Sequence, residues 1–152
     1  MGNALRLYTE IETVRGRIAG QGSRPRVYCE EWGKPMLRSQ PWVSELVSIA
    51  GGDFLGTPAT QAAAEDVIVA DPEVIVIAWC GPGDRVPLEK LVKERAWTGS
   101  QAVRERRVYC IRDELLTTPA PILVRGLQAL AAAIPPEIFA APEGLRRIAG
   151  VE

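Results

Sequence analysis

The residue type that most often does chemistry near neutral pH is missing from this chain, which contains no histidine. That excludes a Ser-His-Asp triad, a Cys-His nucleophile pair, an HExxH zinc site and histidine-ligated haem. Any reaction would fall to carboxylates, lysine, tyrosine or thiols. The carboxylates placed for acid–base work are Glu30, Glu31 and Asp84. Adjacent strand residues point to opposite faces, so Glu30 and Glu31 do not make a paired-carboxylate site, and both read as solvated strand-end charges. Cys29, Cys80 and Cys110 stand far apart without a CxxC pair. They read as small buried hydrophobes on or beside strands rather than as a disulfide or zinc framework. Nothing resembles an activated nucleophile.

Aromatic residues are more informative. Trp32, Trp42 and Trp79 fall in or beside the loops 32–41 and 79–87, which follow expected strands. Arg38, Arg85, Thr117 and Thr118 share that edge, and Trp97 precedes the third strand and belongs to the opposite side. Ligands of open parallel sheets bind outside the carboxyl ends of the strands. Large rigid rings gathered there suit a big, flat, partly apolar ligand or a protein partner, and packing at the rim of a small core is the competing reading. Nucleotide binding has weak support. Cys80-Gly81-Pro82-Gly83-Asp84-Arg85-Val86 lacks the third glycine of GxGxxG, Pro82 removes an N–H, and GxxxxGK(S/T) is absent.

The elements that must carry these residues follow from periodicity. Ala4, Leu7, Tyr8, Ile11, Val14 and Ile18 predict an amphipathic helix over 4–18, ended by Gly20-Gln21-Gly22-Ser23. Strands are expected at 26–32, 73–79 and 107–111, the second a continuous apolar run covered on both faces. Helices are expected at 42–50 behind Pro41, at 61–70, at 88–95, and from Leu123 to the stop at Pro135-Pro136. Phe54-Leu55 reads as a short apolar bead, 32–41 as a ten-residue loop and 137–152 as a capping segment. Alternation of strand and helix implies an α/β three-layer sandwich around a small, mostly parallel sheet of three strands, preceded by a long helix.

Bulk properties agree with one domain. The chain has 152 residues, 47% hydrophobic and 24% charged, with 18 Lys+Arg against 19 Asp+Glu and a net charge of −1. No basic field favours nucleic acid. The amino-terminal sequence lacks a basic region followed by an apolar one, Arg6 stands where a myristoylation motif needs Ser or Thr, and no apolar run reaches the ~18 residues of a spanning helix. As written, the chain is expected to stay cytoplasmic.

Several stretches together resemble one family. RPRVYCEEWGKPMLRSQPWVSELVSIAGGDFLG, AAAEDVIVADPEVIVIAWCG, AWTGSQAVRERRVYCI and LLTTPAPILVRGLQALAAAIPPEIF resemble, in order, the second lobe of cobalamin- and siderophore-binding proteins of ABC importers. The similarity covers about residues 24–139, and the EEW, WVSEL and WCG set resembles the cobalamin-binding group most. The resemblance implies two α/β lobes joined by a rigid helix, with a corrinoid held non-catalytically between them and no covalently bound cofactor. Residues 1–22 would be the interlobe helix, 23–139 the carboxyl-terminal ligand-binding lobe and 140–152 a cap; the first lobe would be missing.

By the same resemblance, Trp32, Gly33, Trp42, Trp79, Cys80 and Thr118 would face the ligand, and Glu65 would dock on the permease. A carboxylate favourably placed in a helix's first turn is the other reading of Glu65. The family location is periplasmic or extracytoplasmic. Departures are Pro58-Ala59-Thr60 in place of an aromatic, Pro119-Ala120-Pro121-Ile122 in place of PGPR, and Pro135-Pro136-Glu137 in place of His-Pro-Glu. Alternatives are siderophore or haem binding by the same kind of lobe, or a module that self-associates through its aromatic edge. An α/β enzyme using a carboxylate has no positive feature.

Overall fold

The computed structural model describes residues 2–83, 85–116, 123–135 and 139–149. In chain order the elements are α1 (Gly2–Ile18), β1 (Arg26–Gly33), β2 (Met36–Arg38), α2 (Pro41–Ile49), β3 (Asp53–Phe54), α3 (Ala64–Ala70) and β4 (Val74–Ile77). They continue with α4 (Leu88–Glu94), α5 (Gln101–Arg104), β5 (Val108–Ile111), a single 3-10 turn (Asp113–Leu115), α6 (Leu123–Ala133) and β6 (Leu145–Arg147).

Among the described residues the sheet has six strands, in the order β2-β1-β4-β5-β6 with β3 also paired to β1. β1, β3, β4 and β5 run parallel, while β2 and β6 are antiparallel edges. The three-strand expectation is therefore corrected. The ten-residue loop contains β2, the apolar bead contributes to β3, and the capping segment contributes β6. These pieces of two or three residues are too short to show a period in sequence, and backbone pairing alone defines them. The helix expected at 61–70 begins only at Ala64, because Gln61 bridges to Leu37.

Alternation along the strands splits the core into two layers. Val27, Cys29, Val74, Val76, Tyr109 and Ile111 face Val14 of α1, Val43, Leu46 and Val47 of α2, and Leu127, Leu130 and Ile134 at α6. Tyr28, Ile75, Ile77, Val108 and Cys110 face Val67 of α3, Leu88, Leu91 and Val92 of α4, Ala102 and Val103 of α5, and Trp97. The result is the expected α/β sandwich with helices on both faces of a mostly parallel sheet. α1 packs onto this body through the fully buried Val14, while Leu5 and Tyr8 near its start are exposed.

Local signals set the helix ends. Pro41 opens α2 with its missing N–H among the unpaired amides of the first turn. Ser100 caps α5 by accepting the Val103 N–H. Asp71 ends α3 in the left-handed conformation, and its carboxylate accepts the Gln101 N–H.

Candidate functional site

β1 ends irregularly. Glu30 pairs with Arg38 and Trp32 with Leu37, so Glu31 is an extra residue, a bulge in the strand. Glu30 stays inside and is 0% exposed. Glu31 turns to the opposite side and accepts a hydrogen bond from Gln40 Nε2 at 2.8 Å. Trp32 is swung to the rim, 46% exposed, with its indole N–H on the Lys34 carbonyl. The bulge thus turns the carboxyl end of β1 into one wall of a hollow.

The other wall comes from the chain leaving β4. Trp32, Gly33, Lys34, Trp79, Cys80 and Pro82 enclose about 250 Å³, open to solvent. Four of the six residues expected to face a ligand meet here: Trp32, Gly33, Trp79 and Cys80. Gly33 is required by proximity, since a β-carbon on it would stand 2.7 Å from Trp79 Cζ2. The indole lies directly on the glycine backbone.

Trp42 takes a different place. It packs against the aliphatic layer and donates its indole N–H to the Leu116 carbonyl at 2.8 Å. It therefore ties α2 to the loop after β5 and does not line the hollow. Thr117, Thr118 and Asp84 lie outside the described residues. Arg38 turns away to Thr60 Oγ1 and the Gln61 carbonyl, and Arg85 bonds the Pro82 carbonyl. Glu65 is exposed in the first turn of α3 beside Asp66. Trp97 is fully buried and donates to the Ala64 carbonyl, one residue before Glu65.

Two sequence expectations are corrected. Cys80 is exposed, unlike Cys29 and Cys110, because it follows the strand in a turn at the rim. Its thiol is pushed above the ordinary value, first by partial burial and then by the charges of Glu31 and Asp113, so it stays protonated. Glu30 is not a solvated strand-end charge. Its Oε1 accepts from Tyr28 Oη at 2.6 Å and Arg95 Nη1 at 2.8 Å, and its Oε2 accepts from Trp79 Nε1 at 2.7 Å. Arg95 is the C-cap of α4 and only 12% exposed. Its guanidinium lies 4.9 Å from the Trp97 ring and 5.8 Å from the Trp79 ring, within cation–π range. Burial, then the negative charge of Glu30, drives the Tyr28 phenol well above its ordinary value, so it acts as a fixed donor.

This network was missed in sequence. The available signal was a glutamate at the inward register of an otherwise apolar strand, in step with Tyr28.

A larger hollow of about 530 Å³ lies at the other end of the strands, lined by Arg15, Gln21, Arg24 and Ser48 among others. It is polar, and it stands where β1 begins rather than where it ends. Topology and aromatic walls favour the smaller hollow as the ligand site. Among the described residues, no group of three or more His, Cys, Asp or Glu is placed to hold a metal ion. None of the described helices is long and apolar enough to cross a membrane.

A layered α/β body thus carries an open aromatic hollow at the carboxyl ends of β1 and β4. The family model described as periplasmic binding protein matches residues 6–115, and the chain belongs to that family. An uncharacterized ABC transporter substrate-binding lipoprotein, YvrC of Bacillus subtilis, is 30% identical over 79 residues, which is 52% of this chain and 24% of YvrC.

Solved structures extend the likeness of fold. A periplasmic haem-binding protein from Pseudomonas aeruginosa superposes with a TM-score of 0.79 at 23% identity, covering 98% of this chain and 56% of that one. The periplasmic vitamin B12-binding protein BtuF of Vibrio cholerae gives 0.63 at 21%, covering 83% of this chain and 49% of that one. The chain thus spans about half the length of these two solved relatives.

Proposed function

We propose that this chain is the carboxyl-terminal lobe of an ABC-importer substrate-binding protein, and that it holds one side of a corrinoid against Trp32 and Trp79. The observation that carries the reading is the convergence of Trp32, Gly33, Trp79 and Cys80 on one open hollow at the carboxyl edge of the sheet. Its volume of about 250 Å³ is below the ~300–1,000 Å³ of a pocket that engulfs a drug-sized ligand. It suits one wall of a two-walled cleft. In this reading residues 1–22 join the lobes, 23–139 form the lobe and 140–152 complete it through β6. Thr118 would contribute from the loop after β5, and the exposed Glu65 would meet the permease on the extracytoplasmic side.

The chemistry is capture without a covalent step. Two aromatic faces and a glycine backbone offer a flat apolar surface, and loop amides offer hydrogen bonds to the ligand's rim. The corrinoid is preferred because the EEW, WVSEL and WCG stretches resemble the cobalamin-binding group most. A haem iron often takes a histidine as axial ligand, and the chain contains none.

The test is a titration of the chain with cyanocobalamin, haemin and a ferric siderophore, read by tryptophan fluorescence against free tryptophan as the absorbance control. Saturable quenching by cyanocobalamin, weakened about tenfold (~1.4 kcal/mol) by Trp32→Ala, is the expected result. Quenching by haemin or the siderophore alone would replace the ligand class. Quenching by none, with a first lobe supplied, would overturn the reading.

A further inference from the structure

We propose that Glu30 is a positioning residue for the hollow, its buried carboxylate fixing the angle of the Trp79 indole that the ligand meets. The inference rests on the reading of the hollow as the ligand site and adds how its wall is set. Trp79 is held in three ways. Its N–H is bound to Glu30 Oε2 at 2.7 Å, its ring lies on Gly33, and the Arg95 guanidinium stands 5.8 Å from the ring centre. Arg95 also reaches the Gly33 carbonyl from Nη2 at 3.4 Å, so the same ion pair binds both surfaces that define the wall.

Apolar packing alone would not specify this arrangement. A buried ion pair contributes little net stability over well-packed apolar residues, since desolvation offsets most of the attraction. What Glu30 adds is direction. Its two oxygens accept three donors from β1, α4 and the loop after β4, and only one position of the indole N–H satisfies the third. The indole has a single donor. With that donor bound to Glu30, Trp79 offers the ligand no polar group, which selects apolar contact over hydrogen bonding at this wall.

The experiment uses the full ¹⁵N-labelled chain without ligand, following hydrogen exchange of the indole N–H groups and emission from Trp79. In Glu30→Gln, the Trp79 indole N–H is expected to exchange about tenfold faster, through loss of a charge-assisted hydrogen bond, with red-shifted emission. The Trp42 indole, bonded to Leu116 on the other layer, should be unchanged. Arg95→Lys, which keeps the acceptor and a counter-charge, should leave Trp79 exchange near the wild-type rate. Should Glu30→Gln fail to fold, Glu30→Asp decides, because it keeps the charge but withdraws the oxygen from the indole. Unchanged Trp79 exchange in a folded Glu30 variant would overturn the inference.

A cyanocobalamin titration of the same samples separates the two claims. A loosened Trp79 in a protein that binds no corrinoid would sink the ligand reading and leave the positioning role standing. Tight binding with Trp79 undisturbed in the variants would do the reverse.

Discussion

Between the sheet and α1, α2 and α6 the chain buries Val27, Val74, Val76, Leu127, Leu130 and Ile134, an aliphatic layer in which side-chain shape does the specifying. Between the same strands and α3, α4 and α5 it buries Tyr28 and Trp97, which meet edge-to-face with ring centroids 5.8 Å apart, and the Glu30–Arg95 pair. The first layer contributes stability per area removed from water. The second accepts a desolvation cost and in return fixes directions, and the aromatic hollow opens on its edge. The difference teaches that one layer chiefly holds the fold together while the other also shapes the hollow.

Substitutions can break that comparison. Glu30→Ala should have the largest effect, about 3–5 kcal/mol measured by urea denaturation, because Arg95 is left buried and uncompensated. Replacing Glu30 and Arg95 together by Leu and Met should recover most of the loss while leaving Trp79 mobile. Leu130→Ala, in the aliphatic layer, should cost about 2–5 kcal/mol by lost burial and a residual cavity. It should leave Trp79 indole exchange unchanged, and a loosened Trp79 there would show that the layers are not independent. Ser100→Ala removes the cap of α5 and should cost about 1 kcal/mol.

Protonation gives smaller tests of the same contrast. The Tyr28 phenol is raised in the folded chain, so its contribution is complete below the unfolded value of about 10 and is lost as pH rises above it. The urea midpoint should therefore fall on the alkaline side, and Tyr28→Phe should flatten that fall. Glu89 at the start of α4 is lowered, first by its own backbone N–H and then by that of Ala149, beside the end of β6. Its effect is present above the ordinary carboxylate range and lost as pH falls through and below it, read as faster exchange at the Ala149 amide. Cys80 should react with a thiol reagent more slowly at neutral pH than an ordinary exposed cysteine, with Cys29 and Cys110 protected by burial.

Much of the fold was legible because its main strands are apolar runs between strong breakers. Glu73-Val74-Ile75-Val76-Ile77 after Asp71-Pro72 admits little else, and Pro41 and Gly51-Gly52 bracket α2 closely. The edge strands were not legible, since Leu145-Arg146-Arg147 becomes a strand only through pairing with Tyr109 to Ile111. Arg146 reaches the Val86 carbonyl and Arg147 the carbonyls of Glu105 and Arg106, partners remote in sequence. In the site, strand-end position was enough to bring Trp32 and Trp79 together. It could not show that Arg95, 65 residues from Glu30, closes beneath them, nor that Trp42 faces the other layer. Strand parity gives the side on which a residue lies, and burial of charge depends on what crosses from another element.

The proposed corrinoid surface on Trp32, Gly33, Trp79 and Cys80 is tested most directly by an amide and indole chemical-shift map of the ¹⁵N-labelled chain titrated with cyanocobalamin. Saturable shifts are expected at the indoles of Trp32 and Trp79 and at the amides of Gly33 and Cys80, with the Trp97 indole stationary. Shifts gathered instead around Arg15 and Arg24 at the far end of the strands, or no shifts at all, would contradict it.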